Sequence, residues 1–326
     1  MQDAATPYST LHPDLILQAI EQCGLPCSGG LVALNSYENR VYQVGLDDAE
    51  PVIAKFYRPN RWSPDCIREE HAFALELTSH DIPVIAPLVI EGESLHTYAG
   101  FLFALFKRQG GRAIELDNLE QLEMVGRYIG RMHAVGAARP FQHRIQIDIN
   151  TYGVQPFDFL MQNRIIPLEL ESQYRELVTS ILHKLNTIFT KYQSIQRIRL
   201  HGDCHIGNIL WRDPLPYIVD LDDCLMGPAI QDIWMLLSGN QPEENRTQLN
   251  AILNGYEDFY EFDYRELHLI EALRTLRMLH YSAWLAKRWH DPAFPLNFPW
   301  FSTIRYWQEQ LQQLHDQHTL LDNVEI

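Results

Sequence analysis

The chain has 326 residues, enough for one large domain or two moderate lobes with a sizeable core. Apolar residues are 46% and charged residues 21%, as in ordinary globular proteins, and the net charge is −16. That charge argues against nonspecific binding to nucleic acid or to an anionic membrane, since both need a basic footprint. The longest apolar runs, such as 101–106, fall far short of the ~20 residues that span a bilayer. The first residues lack the basic and apolar regions of a secretion signal. Five cysteines are scattered, and Cys23 and Cys27 are spaced C-x-x-x-C rather than as a C-x-x-C redox or zinc pair. A reducing, cytoplasmic compartment and a monomer are the expectation.

The first hundred residues read as strand-rich. Leu31 to Asn35, Arg40 to Leu46 and Pro51 to Arg58 are short apolar or β-branched runs between polar turns. Ser63-Pro64-Asp65 then predicts a helix to about Ser79, with Ser63 as N-cap and Pro64 at its first position. Two more strands are expected around Ile85 to Ile90 and Gly100 to Phe106. The polar stretch from Lys107 to Arg112 reads as a linker. Beyond it helices dominate: Leu116 to Val135, Leu168 to Tyr192, Ala229 to Leu237, Thr247 to Phe259, Tyr264 to Trp289 and Trp300 to Leu314. Short strands return between Arg197 and Asp222. The fold class is therefore α+β: a small β-rich N-lobe over 1–106, a hinge, and a larger mainly helical C-lobe over 107–326.

The chemistry concentrates in His201-Gly-Asp-x-His-x-Gly-Asn208, followed by an apolar run ending at Asp220. Phosphoryl transfer from a nucleotide needs a carboxylate to orient the attacking hydroxyl, and an amide and a second carboxylate to hold Mg²⁺. Asp203, Asn208 and Asp220 supply these in order. The run between Asn208 and Asp220 reads as strand-turn-strand, so a hairpin brings the two ligands together. A carboxylate at the end of a buried strand is costly unless it meets a metal or a cation, which favours Asp220, with Asp222 in reserve. Lys55 is the one cation in the apolar strand Val52 to Phe56, and Glu69 and Glu70 in the following helix are both candidates to pair with it. Glu70 has the better register. Leu105, Phe106 and Lys107 are placed to contact an adenine. Asp232 is expected to brace the loop, and Cys204 to be a passive thiol. A metal-hydrolase reading of His201, Asp203 and His205 leaves Asn208, Asp220 and Lys55 without a purpose.

These residues, with Gly227-Pro228 and Asp232, resemble the phosphotransferase family that contains the aminoglycoside and choline kinases. The likeness runs from Lys55 to Asp232 and implies a bilobal protein-kinase-like fold. More narrowly, Asn35-Ser-Tyr-Glu-Asn-Arg-Val-Tyr42, Lys55-Phe-Tyr-Arg-Pro59, Trp211-Arg-Asp213 and the Asp291 to Trp300 segment resemble a bacterial Ser/Thr protein kinase branch implicated in envelope stress and survival. The resemblance implies ATP as phosphoryl donor, Asp203 as proton acceptor, Asn208 and Asp220 on Mg²⁺, Ser36 near ATP, and a protein substrate with a Ser or Thr acceptor. The chain departs from protein kinases in two places. No G-x-G-x-x-G covers the phosphates, so the Asn35 to Asn39 turn must do so. Only eleven residues separate Asp220 from Asp232, too few for a long activation segment. The acidic background would favour a cationic acceptor, either an amine or a basic peptide.

Overall fold

The computed structural model describes residues 6–212, 214–239 and 242–322. Asp213 of the Trp211-Arg-Asp213 motif lies outside them. The chain opens with a helix that the pattern of polar residues concealed, α1 (Pro13–Gln22). His12 caps it by accepting the Leu15 N–H at 3.3 Å. Its Leu15, Ile16, Ala19 and Ile20 are buried.

A five-stranded antiparallel sheet follows: β1 (Cys27–Ala33), β2 (Arg40–Leu46), β3 (Val52–Phe56), then β4 (His96–Tyr98) and β5 (Phe101–Lys107), in the order β1-β2-β3-β5-β4. The pleat sorts β3 by alternation. Val52, Ala54 and Phe56 join the core shared with α1. Ile53 and Lys55 face the other way, toward the second half of the molecule. Between β3 and β4 runs α2 (Pro64–Ser79), started as expected by Ser63 and Pro64.

The expected strand at Ile85 to Ile90 does not form. Pro87, inside the run, lacks the N–H a ladder needs, as does Pro83 just before it. The segment instead makes isolated bridges, Pro87 with Phe106 and Val84 with Ile218. Around the second bridge the Ile85 N–H donates to the Ile218 carbonyl at 3.0 Å, and the Ile218 N–H to the Pro83 carbonyl at 2.8 Å.

Past the short strand β6 (Arg112–Ala113) the chain is mainly helical: α3 (Leu119–Ala137), α4 (Gln155–Gln162) and α5 (Leu168–Lys191). Then come β7 (Ile198–Leu200), the hairpin β8 (Ile209–Arg212) and β9 (Leu215–Ile218), and β10 (Leu225–Gly227). β6 pairs with β8, so the expected linker ends in a sheet beside the hairpin. The chain closes with α6 (Ile230–Trp234), α7 (Pro242–Tyr256), α8 (Ile270–Lys287), α9 (Ala293–Asn297) and α10 (Ile304–Leu320). The single helix expected from Tyr264 is a 3-10 turn over Tyr264–Leu269 that then continues as α8. The largest core belongs to this helical part. Among the described residues no helix is long and apolar enough to cross a membrane.

Candidate active site

The sheet and the helical part face each other across a cleft of about 620 Å³. Val41, Ile53 and Phe106, from neighbouring strands, form its apolar roof. Phe106 and Lys107 line the cleft, whereas Leu105 is fully buried in the core beneath the sheet. The turn between β1 and β2 covers one end, with the Ser36 hydroxyl donating to the Asn39 carbonyl at 3.2 Å.

Lys55 projects from the roof into a carboxylate cluster of which Glu70 and Asp222 are buried. Its Nζ lies 2.8 Å from Asp220, 3.2 Å from Asp222 and 3.7 Å from Glu70. Burial lowers the pKa of the ammonium, but Asp220, Asp222 and Glu70 outweigh it and hold that pKa well above the usual lysine range. The choice between Glu69 and Glu70 is resolved by geometry. Glu69 turns outward and accepts the backbone N–H groups of His143 and Arg144 at 2.7 and 2.9 Å. Glu70, one residue on around α2, is buried and faces Lys55.

The hairpin brings Asn208 beside the Asp220 strand, with the Val219 N–H donating to the Asn208 carbonyl at 3.0 Å. The Asn208 amide donates to the Asp203 carbonyl at 3.0 Å, and Asn208 lines the cleft. Asp220 stands two residues beyond β9 in left-handed backbone, φ 62°, and its side chain is 55% exposed. The expected burial at that position is therefore absent, and Asp222 is the buried carboxylate. Asp222 is enclosed by Asn39 at 3.1 Å, by Lys55 and by Arg61. Burial opposes its ionisation, but Arg61 and Lys55 prevail and keep it below the usual carboxylate range.

Asp203 sits in a loop held from behind. Asp232, fully buried, accepts the N–H groups of His201 and Gly202 at 2.8 Å each, and meets His133 at 3.1 Å. Gly202 has φ +85°, and a Cβ there would collide with the Asp223 carbonyl, so this turn requires glycine. The His201 ring donates to the Val219 carbonyl at 2.9 Å and accepts the Asp203 N–H at 3.3 Å. His205 approaches the Asp203 carboxylate at 3.5 Å. Arg277, from α8, reaches it at 2.8 Å. Burial raises the Asp203 carboxyl, but His205 and Arg277 outweigh this and hold it below the usual range. Cys204 is buried, and that burial lifts its thiol well above the ordinary value, which suits an inert core residue.

Several residues of this site escaped the sequence pattern. Arg61, between β3 and α2, carries no periodic signal, yet it binds Asp222 and Asp223. Arg277 lies among apolar helical residues more than seventy positions from Asp203. Glu38 ties the β1–β2 turn to α8, accepting the Trp284 indole N–H at 2.7 Å and pairing with Arg288. Arg58 and Arg40 cross to Asp291 at 2.9 and 3.3 Å. Of the aromatic residues near the end of the chain, Phe294 and Phe301 are core, while Trp284 lines the cleft.

A profile described as the phosphotransferase enzyme family matches residues 30–270, nearly three-quarters of the chain. The chain belongs to that family. It is a kinase, and its fold is the bilobal one of the aminoglycoside and choline kinases. Stress response kinase A of Escherichia coli (strain K12) is 45% identical over 98% of this chain and 97% of its own. A relative from Salmonella typhimurium named serine/threonine protein kinase RdoA is 46% identical over the same shares. Among solved structures, amicoumacin kinase hAmiN in complex with AMP-PNP, Ca²⁺ and Ami superposes with a TM-score of 0.68 at 20% identity, covering 91% of this chain and 93% of that one. This last likeness concerns the fold alone.

Proposed function

We propose that this kinase transfers the γ-phosphate of ATP, with Mg²⁺, to Ser and Thr hydroxyls of proteins, itself included. We place it in the cytoplasm, as a monomer acting in stress response and survival. The observation that carries this reading is near full-length identity of 46% to a relative named as a serine/threonine protein kinase. In our assignment residues 1–106 bind the nucleotide and residues 107–326 carry the catalytic loop.

Each residue takes a role its placement supports. The acceptor oxygen bonds to the γ-phosphorus as the bond to the β,γ-bridging oxygen breaks, and ADP departs with that electron pair. Asp203 orients the acceptor hydroxyl and receives its proton. Lys55, steadied by Glu70, addresses the α- and β-phosphates. Ser36 and the backbone of its turn cover them, and Phe106 with Ile53 and Val41 contacts the adenine. Asn208 and Asp220 fit a magnesium site: one side-chain amide and one half-exposed carboxylate line the same cleft. Mg²⁺ is commonly held by one or two protein oxygens together with phosphates, and when bound it neutralises phosphate charge.

Incubation of the purified chain with labelled ATP, Mg²⁺ and a general protein substrate tests the proposal. Label is expected on Ser and Thr of the substrate and of the enzyme. No label on any protein, with ATP consumed only when an amino alcohol or sugar is added, would replace it by a small-molecule kinase.

A further inference from the structure

One wall of the cleft is a face of α8, where Arg277, Tyr281 and Trp284 recur at helical spacing and reach the lining. Arg277 stands directly beside the hydroxyl-orienting carboxylate. Its guanidinium meets Asp203 at 2.8 Å through one nitrogen, while its side chain stays 39% exposed. Guanidinium has five N–H donors, so this contact leaves most of its donor capacity for a second anion. Among the described residues, Asp203 is the one carboxylate within ion-pair distance of it.

The other acids near this wall are engaged. Glu38 accepts from Trp284 and pairs with Arg288. Asp222 is enclosed by Lys55, Arg61 and Asn39, and Asp223 pairs with Arg61. His280, stacked on Tyr152 at 4.2 Å, adds no negative charge. Its own burial and then the cations Lys287, Arg288 and Arg277 push its pKa down to about 3. Asp220 pairs with Lys55 at 2.8 Å and is assigned above to Mg²⁺, so among the described residues of the cleft a cationic acceptor finds no uncommitted carboxylate except the one that must orient its hydroxyl. The local wall thus reverses what the net charge of −16 suggests.

We propose that Arg277 makes the acceptor side selective for a Ser or Thr hydroxyl flanked by acidic residues, and selective against basic flanks. This deepens the protein-kinase reading above and rests on it for the identity of the acceptor as protein. Arg277 is then a specificity-determining residue.

The test separates binding from transfer. Two labelled peptides, identical except for Glu or Lys on both sides of the acceptor position, carry Ala in place of the acceptor Ser. Their affinities for the full chain are measured by fluorescence anisotropy with Mg²⁺ and a non-hydrolysable ATP analogue. The Glu peptide is expected to bind roughly fivefold tighter or better, the scale of a partly exposed ion pair. Arg277→Gln should bring the two affinities together, Arg277→Glu should invert their order, and Arg277→Lys should keep most of the preference. Because each comparison is a ratio within one variant, a general loss of binding cancels. Equal affinities, a preference for the Lys peptide, or no binding of either overturns the inference. The Ser versions of the peptides distinguish it from the underlying reading. Acid-selective binding without transfer to any protein supports this inference and overturns the protein-kinase reading. Transfer that ignores the flanks does the opposite.

Discussion

The two walls of the cleft are built on different principles. The roof is a β-sheet, where period-two alternation decides which side chains face inward, and its Lys55 is sunk among three carboxylates. The opposite wall is the face of α8, where Arg277, Tyr281 and Trp284 stand partly in solvent. Charge on the roof is therefore part of the fold, because an unpaired buried charge is expensive. On the helix it is close to the surface and can be exchanged without rebuilding anything. One wall is made to hold a constant ligand and the other can vary.

Substitutions can break or sharpen this contrast. The largest effect is expected where the walls meet. Asp203→Asn should lower phosphoryl transfer by about 10²–10⁴-fold while the chain still unfolds cooperatively, in paired kinetic and thermal measurements. Transfer at the wild-type rate would remove Asp203 as the base. Lys55→Met tests whether roof charge is structural as well. Activity should fall about 100-fold or more, and urea unfolding should show a loss of about 3 kcal/mol, because Glu70 and Asp222 lose a buried partner. A variant that is inactive but as stable as the parent would refute that coupling.

Glu38→Gln sits between the two walls. Removing its charge leaves Arg288 short of an anion, whereas Arg58 keeps Asp291, at a cost of about 2 kcal/mol by chemical denaturation. It should also raise the KM for ATP more than it lowers kcat, since it loosens the turn that carries Ser36. The smallest effect belongs to the helix wall. Asp203 has its carboxyl held low by His205 and Arg277, so a base that must be ionised keeps working as pH falls past the usual carboxylate range. Activity is present above its pKa and lost below it. Arg277→Gln removes one of the groups holding it down, so the acidic limb of kcat/KM should move up by about one pH unit. An unmoved limb would mean that Arg277 does not act on Asp203.

The same contrast explains what was legible in the chain. The roof announced itself: a lone Lys55 in an apolar strand, a helix begun by Ser63-Pro64 and a glutamate in the right register of that helix. So did the catalytic loop, whose glycines and polar residues are packed into eight positions. These are local signals, and local rules read them. The partners that depend on long-range packing were silent. Arg61 and Arg277 have no pattern of their own, and their meaning appears only when α2 and α8 are brought against the hairpin. Asp222 was read as a reserve ligand because sequence cannot say which of three nearby acids turns inward. The missing strand after α2 has a simpler cause. Its apolar run looked right, but Pro87 within it and Pro83 just before it lack the donors a ladder needs.

That segment carries a mechanical consequence. The two hydrogen bonds joining residues 83–85 to Ile218 stitch the sheet half directly to the hairpin that bears Asn208. A clamshell swing of one half against the other must tear this seam each cycle, whereas a flap confined to the Asn35 to Asn39 turn leaves it whole. The seam thus acts as a spine that keeps roof and hairpin in register at the back, while Glu38 and Asn39 latch the turn to the opposite wall at the front.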